Sequence, residues 1–356
     1  MLCVYNRTMK IDLTKIKRKD IDKLLLEKEM NIAAADALFN FSFYSGEEEF
    51  SHDDYASVIK DYLELNLDNE EDKYFFESRI VPAVKKLSND DYKDNYYRCH
   101  IKPVPFKGKG YELTYLKYKP YQLFPYDDIL VNQNFVEVSQ NGYFPQELAY
   151  LAVLKDDIVW MSTDPNEINT MQPCIDEAKG HVLAFGLGLG YFPIMCAAKS
   201  NVSKVTVVEK DQAIIDIFKK HILPLFEFKE KIEIVKGDAF EYAKRDLKEY
   251  DYLFIDIWHN PEDGLPIYLR FKNILKGKKI KTSYWLEKSI LAMYRRCLLT
   301  IIEENLLGYT DKDYKVVKND YDKIINDLYF KTKNMTISTY DELIEILQDK
   351  SLRNLV

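Results

Sequence analysis

The chain has 356 residues, 47% hydrophobic and 30% charged, with a net charge of -8 at pH 7. That length and balance suit two or three globular domains with a sizeable core, and the acidic surface argues against bulk nucleic-acid binding, which needs basic groups to displace counterions. Five cysteines (Cys3, Cys99, Cys174, Cys196 and Cys297) form no CxxC pair and the histidines no HExxH, so neither a disulfide framework nor a metal site is expected. A reducing cytoplasm fits that usage best, and Met1 to Lys10 lack the apolar stretch of a signal peptide.

Residues 1–107 read as a helical N-terminal region. Leu24, Leu25, Leu26, Ile32, Ala33 and Leu38 sit among charges, and Tyr55, Val58, Ile59, Tyr62 and Leu63 follow helical spacing behind a capping start at Ser51 and Asp54. The charged run from Asp68 to Lys73 reads as a loop. Residues 108–162 read as a small antiparallel β region, with strands near Tyr111–Tyr118, Ile129–Val131, Phe135–Val138 and Ile158–Met161 and one helix near Pro145–Leu154. Asp164, Pro165 and Glu167 then suit the N-cap, first and third positions of a helix reaching about Ala178, with Glu167 turning back to the cap.

From His181 to about Lys276 strand and helix patterns alternate, as in a parallel sheet with crossover helices, and residues 163–284 read as one Rossmann-like core. Val182–Ala198 carries no charge and approaches the length of a membrane span. Its glycines and Pro193 make it a buried strand, a turn and a short helix instead, and no membrane association is expected. A helix is expected from Ala213 to Leu225. Residues 285–356 read as a helical C-terminal extension.

The chemistry lies at the strand ends. Val182–Phe185 runs into Gly186, Gly188 and Gly190, where glycine lets the backbone turn sharply and approach a ligand. The spacing is GxGxG, and Tyr191 stands where a dinucleotide fingerprint has its third glycine, which disfavours a nicotinamide cofactor. The next strand ends in Glu209, 21 positions after Gly188, placed either for ribose hydroxyls or as a surface acid. The third ends in Asp238 and Ala239, which suit an adenine amino group and ring nitrogen, or a helix cap. The fourth ends in Asp256, a candidate to contact an acceptor or its proton. His259 follows as a candidate base or an ordinary loop polar residue. Ligands of open α/β sheets sit beyond such carboxyl ends.

With those residues in view, the core resembles class I S-adenosylmethionine-dependent methyltransferases. "VLAFGLGLGYF", "VTVVEKD", "GDAF" and "YDYLFIDIW" are similar to that family's glycine, ribose, adenine and fourth-strand motifs. The resemblance implies S-adenosyl-L-methionine as donor, held by Gly186, Gly188, Gly190, Glu209, Asp238, Ala239 and Asp256, with Asp256 and His259 as catalytic candidates. The preceding β region and the Asp164 helix also resemble spermidine synthases, which are aminopropyltransferases on the same core. Against that branch, the glycine turn is not GGGDGG, no Asp-Glu-x-x-Tyr-His-Glu segment precedes the core, and His259 replaces the second acid of Asp-x-x-Asp-Pro. After Ile280 the sequence turns helical where methyltransferases add an antiparallel hairpin. The expectation is therefore a methyltransferase acting on an unidentified small-molecule or protein acceptor. A spermidine-synthase-like aminopropyltransferase is the alternative, a non-catalytic nucleoside-binding module the second alternative, and a homodimer the assembly left open.

Overall fold

The computed structural model describes residues 11–42, 49–108, 110–315 and 317–355. The reading of Met1 to Lys10, Cys3 included, lies outside them. Two helices, Arg18–Phe41 and His52–Tyr62, open the described chain. The second starts on the expected capping box, with Ser51 Oγ accepting from the Asp54 N–H (3.3 Å) and the Asp54 carboxylate accepting from the Ser51 N–H (2.7 Å). The expected loop from Asp68 to Lys73 is instead the start of helix Glu70–Phe75. Asn69 caps it by accepting from Glu71 and Asp72, and three acids in the first turn suit the positive end of the helix dipole.

The β region is two sheets. Val84–Lys86 pairs parallel with Glu137–Tyr143, which pairs antiparallel with Phe124–Val131. Phe106–Gly108, Tyr111–Tyr118, Leu148–Lys155 and Ile158–Ser162 form a four-stranded antiparallel sheet. The helix expected near Pro145–Leu154 is therefore a strand. Leu148–Lys155 pairs residue for residue with Tyr111–Tyr118 (Leu148 opposite Tyr118, Val153 opposite Leu113), and this long-range pairing overrides the local helical preference of Gln146, Glu147 and Leu148.

The core sheet is wholly parallel. Its strands are β1 (Gly180–Phe185), β2 (Val202–Glu209), β3 (Ile232–Lys236), β4 (Tyr252–Ile255) and β5 (Lys281–Tyr284), in the spatial order β3-β2-β1-β4-β5. Val182 to Phe185 are fully buried, as expected of a central strand covered on both faces. The crossovers are α1 (Pro165–Glu177), which enters β1, then α2 (Tyr191–Ala197), α3 (Gln212–Ile217), α4 (Ala239–Ala243) and α5 (Pro261–Leu275). The single helix expected from Ala213 to Leu225 is shorter. It gives way to a π turn at Phe218–Ile222 and a 3-10 turn at Leu223–Leu225, where Pro224 supplies no N–H to continue the ladder.

After β5 the chain enters α6 (Glu287–Leu306), and among the described residues no strand follows. The later helices Tyr340–Leu347 and Asp349–Asn354 fold back on α6. Arg295 donates to the Leu347 carbonyl (2.8 Å), and Arg353 pairs with Glu287 (3.0 Å). The fold is thus a Rossmann-like α/β core between a helical N-terminal part with a β region and a helical C-terminal part. Among the described residues no helix is long and apolar enough to cross a membrane.

Candidate functional site

Chain order reverses between β1 and β4, because β2 and β3 lie on one side of β1 while β4 and β5 lie on the other. The loops that leave β1 and β4 part at this point and open a crevice. The glycine turn and Asp256 flank it. Gly186 has φ +96°, and a Cβ there would stand 1.9 Å from the Asp256 carbonyl oxygen, so only glycine lets the two loops touch at their base before they part. Gly188 has φ +52°, and a Cβ there would meet nothing within 4 Å, so its face is open to a ligand. Gly190 is the N-cap residue of α2.

Each predicted binding residue has a defined place. The Glu209 carboxylate accepts the Leu187 N–H from the glycine turn (3.1 Å) and the Asp211 N–H from its own loop (2.7 Å), which locks it beside the turn with lone pairs to spare. Asp238 caps α4 by accepting from the Glu241 N–H through Oδ1 (3.0 Å), so one of its two oxygens is committed to structure, and Ala239 is buried behind it. His259 is exposed. Its backbone N–H and its ring both face Asp263, with Nδ1 to Oδ2 at 3.2 Å, and its ring meets Trp160 edge-on at 4.7 Å. Asp256 and Glu209 are not among its hydrogen-bond partners.

Asp256 has a different environment. It is half-buried, and no donor among the described residues hydrogen-bonds its carboxyl. Burial first, and the Glu209 charge second, push its pKa up to about 7. Glu167, on the first turn of α1, was expected to reach back to its own cap. Asp164 does accept the Glu167 N–H (3.1 Å), but its second oxygen accepts from Tyr118 (3.0 Å), and the Glu167 side chain makes no return bond. Its carboxyl instead lies in the field of Asp256 and Asp164. Burial, then those two charges, hold it well above the usual carboxylate range. Two carboxyls without donors, each disfavouring charge, converge beside the glycine turn.

This arrangement has a pH signature. A raised carboxyl pKa means that the folded protein keeps a proton that the unfolded chain has lost. Stability from this source is therefore full below about pH 4 and drains away as pH rises toward about 7, where Asp256 ionises in place. Asp256→Asn removes that titration. Thermal melts across pH 4.5–8 should show the variant gaining on the wild type as pH rises, whereas a constant difference would mean that Asp256 ionises normally.

The N-terminal region supplies neighbours that the sequence did not announce. Tyr97 donates to the Leu189 carbonyl inside the glycine turn (2.6 Å), and Asn95 donates to the Tyr191 hydroxyl (2.8 Å). Both belong to the segment around helix Tyr96–His100, which no motif marks. A cavity of about 310 Å³ lies beside this helix, with Tyr97, Arg98, Tyr150 and Thr163 in its wall. A cleft of about 460 Å³ between Phe106–Gly108 and the turn after α3 has none of the strand-end acids in its lining.

The relationship to known proteins follows this geometry. Residues 168–270 match the family profile described as spermine/spermidine synthase domain. The match covers the greater part of the parallel-sheet core and is a similarity to that domain. Among solved structures, the chain is similar to the Thermotoga maritima spermidine synthase (16% identity, TM-score 0.31, covering 42% of this chain and 58% of that one). It is also similar to a spermidine synthase in complex with the transition-state analogue AdoDATO (18%, 0.32, 42% and 60%). A third match is a Klebsiella pneumoniae protein provisionally assigned as an O-methyltransferase (20%, 0.23, 29% and 46%). The chain spans less than two thirds of the length of each. No curated protein matches it. The domain match supports a transferase and corrects the expectation of a methyltransferase. The family it names is one of aminopropyltransferases, and the matched segment spans the glycine turn, Glu209, Asp238 and Asp256.

Proposed function

We propose that this chain transfers an aminopropyl group from decarboxylated S-adenosylmethionine to an amine. The observation that carries the proposal is the pair of donor-free carboxyls, Asp256 and Glu167, beside the glycine turn. The pair disfavours its own charge. A sulfonium and an ammonium supply the missing countercharge, whereas a donor that keeps its carboxylate adds repulsion. Glu167 then takes the part of the second acid that His259 leaves vacant after β4, reaching the crevice from a different element.

The donor's nucleoside is assigned to the three motifs that precede Asp256. The open face of Gly188 admits it, while Gly186 and Gly190 shape the turn. Glu209 has lone pairs left for ribose hydroxyls, and Asp238 has one oxygen free for the adenine amino group next to the Ala239 N–H. In the reaction the amine lone pair attacks the methylene carbon bound to sulfur. The C–S bond breaks, methylthioadenosine leaves, and the amine gives up a proton. A carboxyl titrating near neutrality is suited to receive it, so Asp256 is assigned that proton, with Glu167 holding the cationic substrate. His259, tied to Asp263, is assigned to the loop over the crevice.

Isothermal titration calorimetry with the two donors tests the reading. Decarboxylated S-adenosylmethionine should bind at least about tenfold more tightly than S-adenosylmethionine, a difference of about 1.4 kcal/mol. Equal affinity, or preference for the carboxylated donor, would overturn it.

A further inference from the structure

The glycine turn is held by hydrogen bonds from two directions. From within the core, the Gly190 N–H donates to the Leu187 carbonyl across the turn (2.8 Å), and the Leu187 N–H donates to Glu209 (3.1 Å). From the N-terminal region, the Tyr97 hydroxyl donates to the Leu189 carbonyl (2.6 Å). Gly188 and Leu189 lie inside the turn, and Gly188 has φ +52° with its face open. Glycine loses more conformational freedom on being ordered than any other residue. A turn built around it needs a fixed neighbour to hold one shape.

The core offers the Leu189 carbonyl nothing in place of Tyr97. Pro193, one helical turn on, has no N–H to turn back on it, and among the described residues no other donor reaches it. Gly190, the N-cap residue of α2, has no side chain with which to fix the entry to that helix. Tyr97 is buried, and its ring packs on Tyr191 with centroids 5.4 Å apart. Burial pushes its pKa well up, so the hydroxyl keeps the proton it donates. Asn95 adds a second grip. Its Oδ1 caps helix Tyr96–His100 by accepting from the Arg98 N–H (3.1 Å), and its Nδ2 donates to the Tyr191 hydroxyl (2.8 Å). One short segment thus holds both the inside of the turn and the first residue of α2.

We propose that Tyr97 is a positioning residue for the donor's nucleoside. It acts through the Leu189 carbonyl, keeping the glycine turn in its binding shape before the ligand arrives, and Asn95 ties the segment that carries it to α2. A site ordered in advance binds more tightly, because less freedom is lost on binding. Without the hydroxyl the carbonyl lacks its donor, the turn loosens, and the ligand has to order it. This rests on the nucleoside half of the aminopropyl-transfer reading and holds whichever group is transferred.

Tyr97→Phe keeps the ring and removes the hydroxyl. Methylthioadenosine carries the nucleoside without the transferable group, and calorimetry should show it binding about tenfold more weakly to the variant. Asn95→Ser, which keeps a capping oxygen and loses the amide donor, should weaken it in the same direction by a smaller factor. In turnover of decarboxylated S-adenosylmethionine with putrescine, the donor KM of Tyr97→Phe should rise by a similar tenfold, while kcat and the amine KM stay within about twofold. A lowered urea midpoint with methylthioadenosine affinity unchanged would make the hydrogen bond purely structural and overturn the proposal. So would a loss carried by kcat or by the amine KM. The nucleoside measurement also separates this proposal from the reading beneath it. Tyr97-dependent methylthioadenosine binding in a protein that transfers no aminopropyl group supports the positioning role and sinks aminopropyl transfer. Aminopropyl transfer with a nucleoside affinity indifferent to Tyr97 does the reverse.

Discussion

Replacing Asp256 with asparagine is expected to lower kcat for methylthioadenosine release by about 100-fold or more, the usual range for losing a positioned proton acceptor. The substitution keeps the shape of the side chain and removes both its charge and its basicity. Asp256 stands at the end of β4, beside the point where the strand order reverses, and its backbone N–H is held by the Phe185 carbonyl (2.9 Å). The asparagine variant should therefore fold normally and gain stability at neutral pH while losing turnover. Those opposite signs set a chemical role apart from a structural one. Initial rates and melting curves on the same preparation read both. A loss of less than about threefold in kcat would move the proton to another group, with His259 the first to examine.

Arg79→Leu should destabilise the fold by about 3–5 kcal/mol, because it breaks a buried ion pair and leaves its partner charged. Arg79 has no exposed surface. Its guanidinium bonds Glu27, Asn31 Oδ1 (3.0 Å) and Ser78 Oγ (2.8 Å). Asn31 in turn donates to the Phe135 carbonyl (2.7 Å) and accepts from the Glu137 N–H (3.0 Å), so one buried polar network joins helix Arg18–Phe41 to the three-stranded sheet. Leucine would strand the Glu27 carboxylate with only the Tyr74 hydroxyl (2.8 Å) to solvate it. The exposed pair Arg18–Asp22, 61% and 49% exposed, serves as a control. Its loss should cost no more than about 1 kcal/mol. Urea titration measures both variants, and a cost below about 1 kcal/mol for Arg79→Leu would show that the network does not hold the N-terminal helix to the sheet.

How much was legible in the sequence divides by the range of the interaction responsible. The core strands could be read because a strand buried on both faces writes itself as an unbroken apolar run, as in Val182–Phe185 and Tyr252–Ile255. The caps at Ser51 and Asp164 could be read because a cap is a contact between residues three positions apart. Leu148–Lys155 could not, because its partner strand Tyr111–Tyr118 is distant in sequence and decides between helix and strand. Glu167 shows the same limit within the candidate site. Its position suggested a capping partner, while its carboxyl is defined by Asp256, a residue from another element. Tyr97 carries no local signature, and only the folded chain brings it against the glycine turn. The methyltransferase expectation rested on motifs that the whole superfamily shares, and these describe the nucleoside half of the donor while leaving open which group moves.

The most direct test is to identify the product by mass spectrometry. The purified protein is incubated with S-adenosylmethionine or its decarboxylated form, together with putrescine as the amine. The account predicts methylthioadenosine and an aminopropylated amine from the decarboxylated donor alone. S-adenosylhomocysteine and a methylated amine from the carboxylated donor would contradict it.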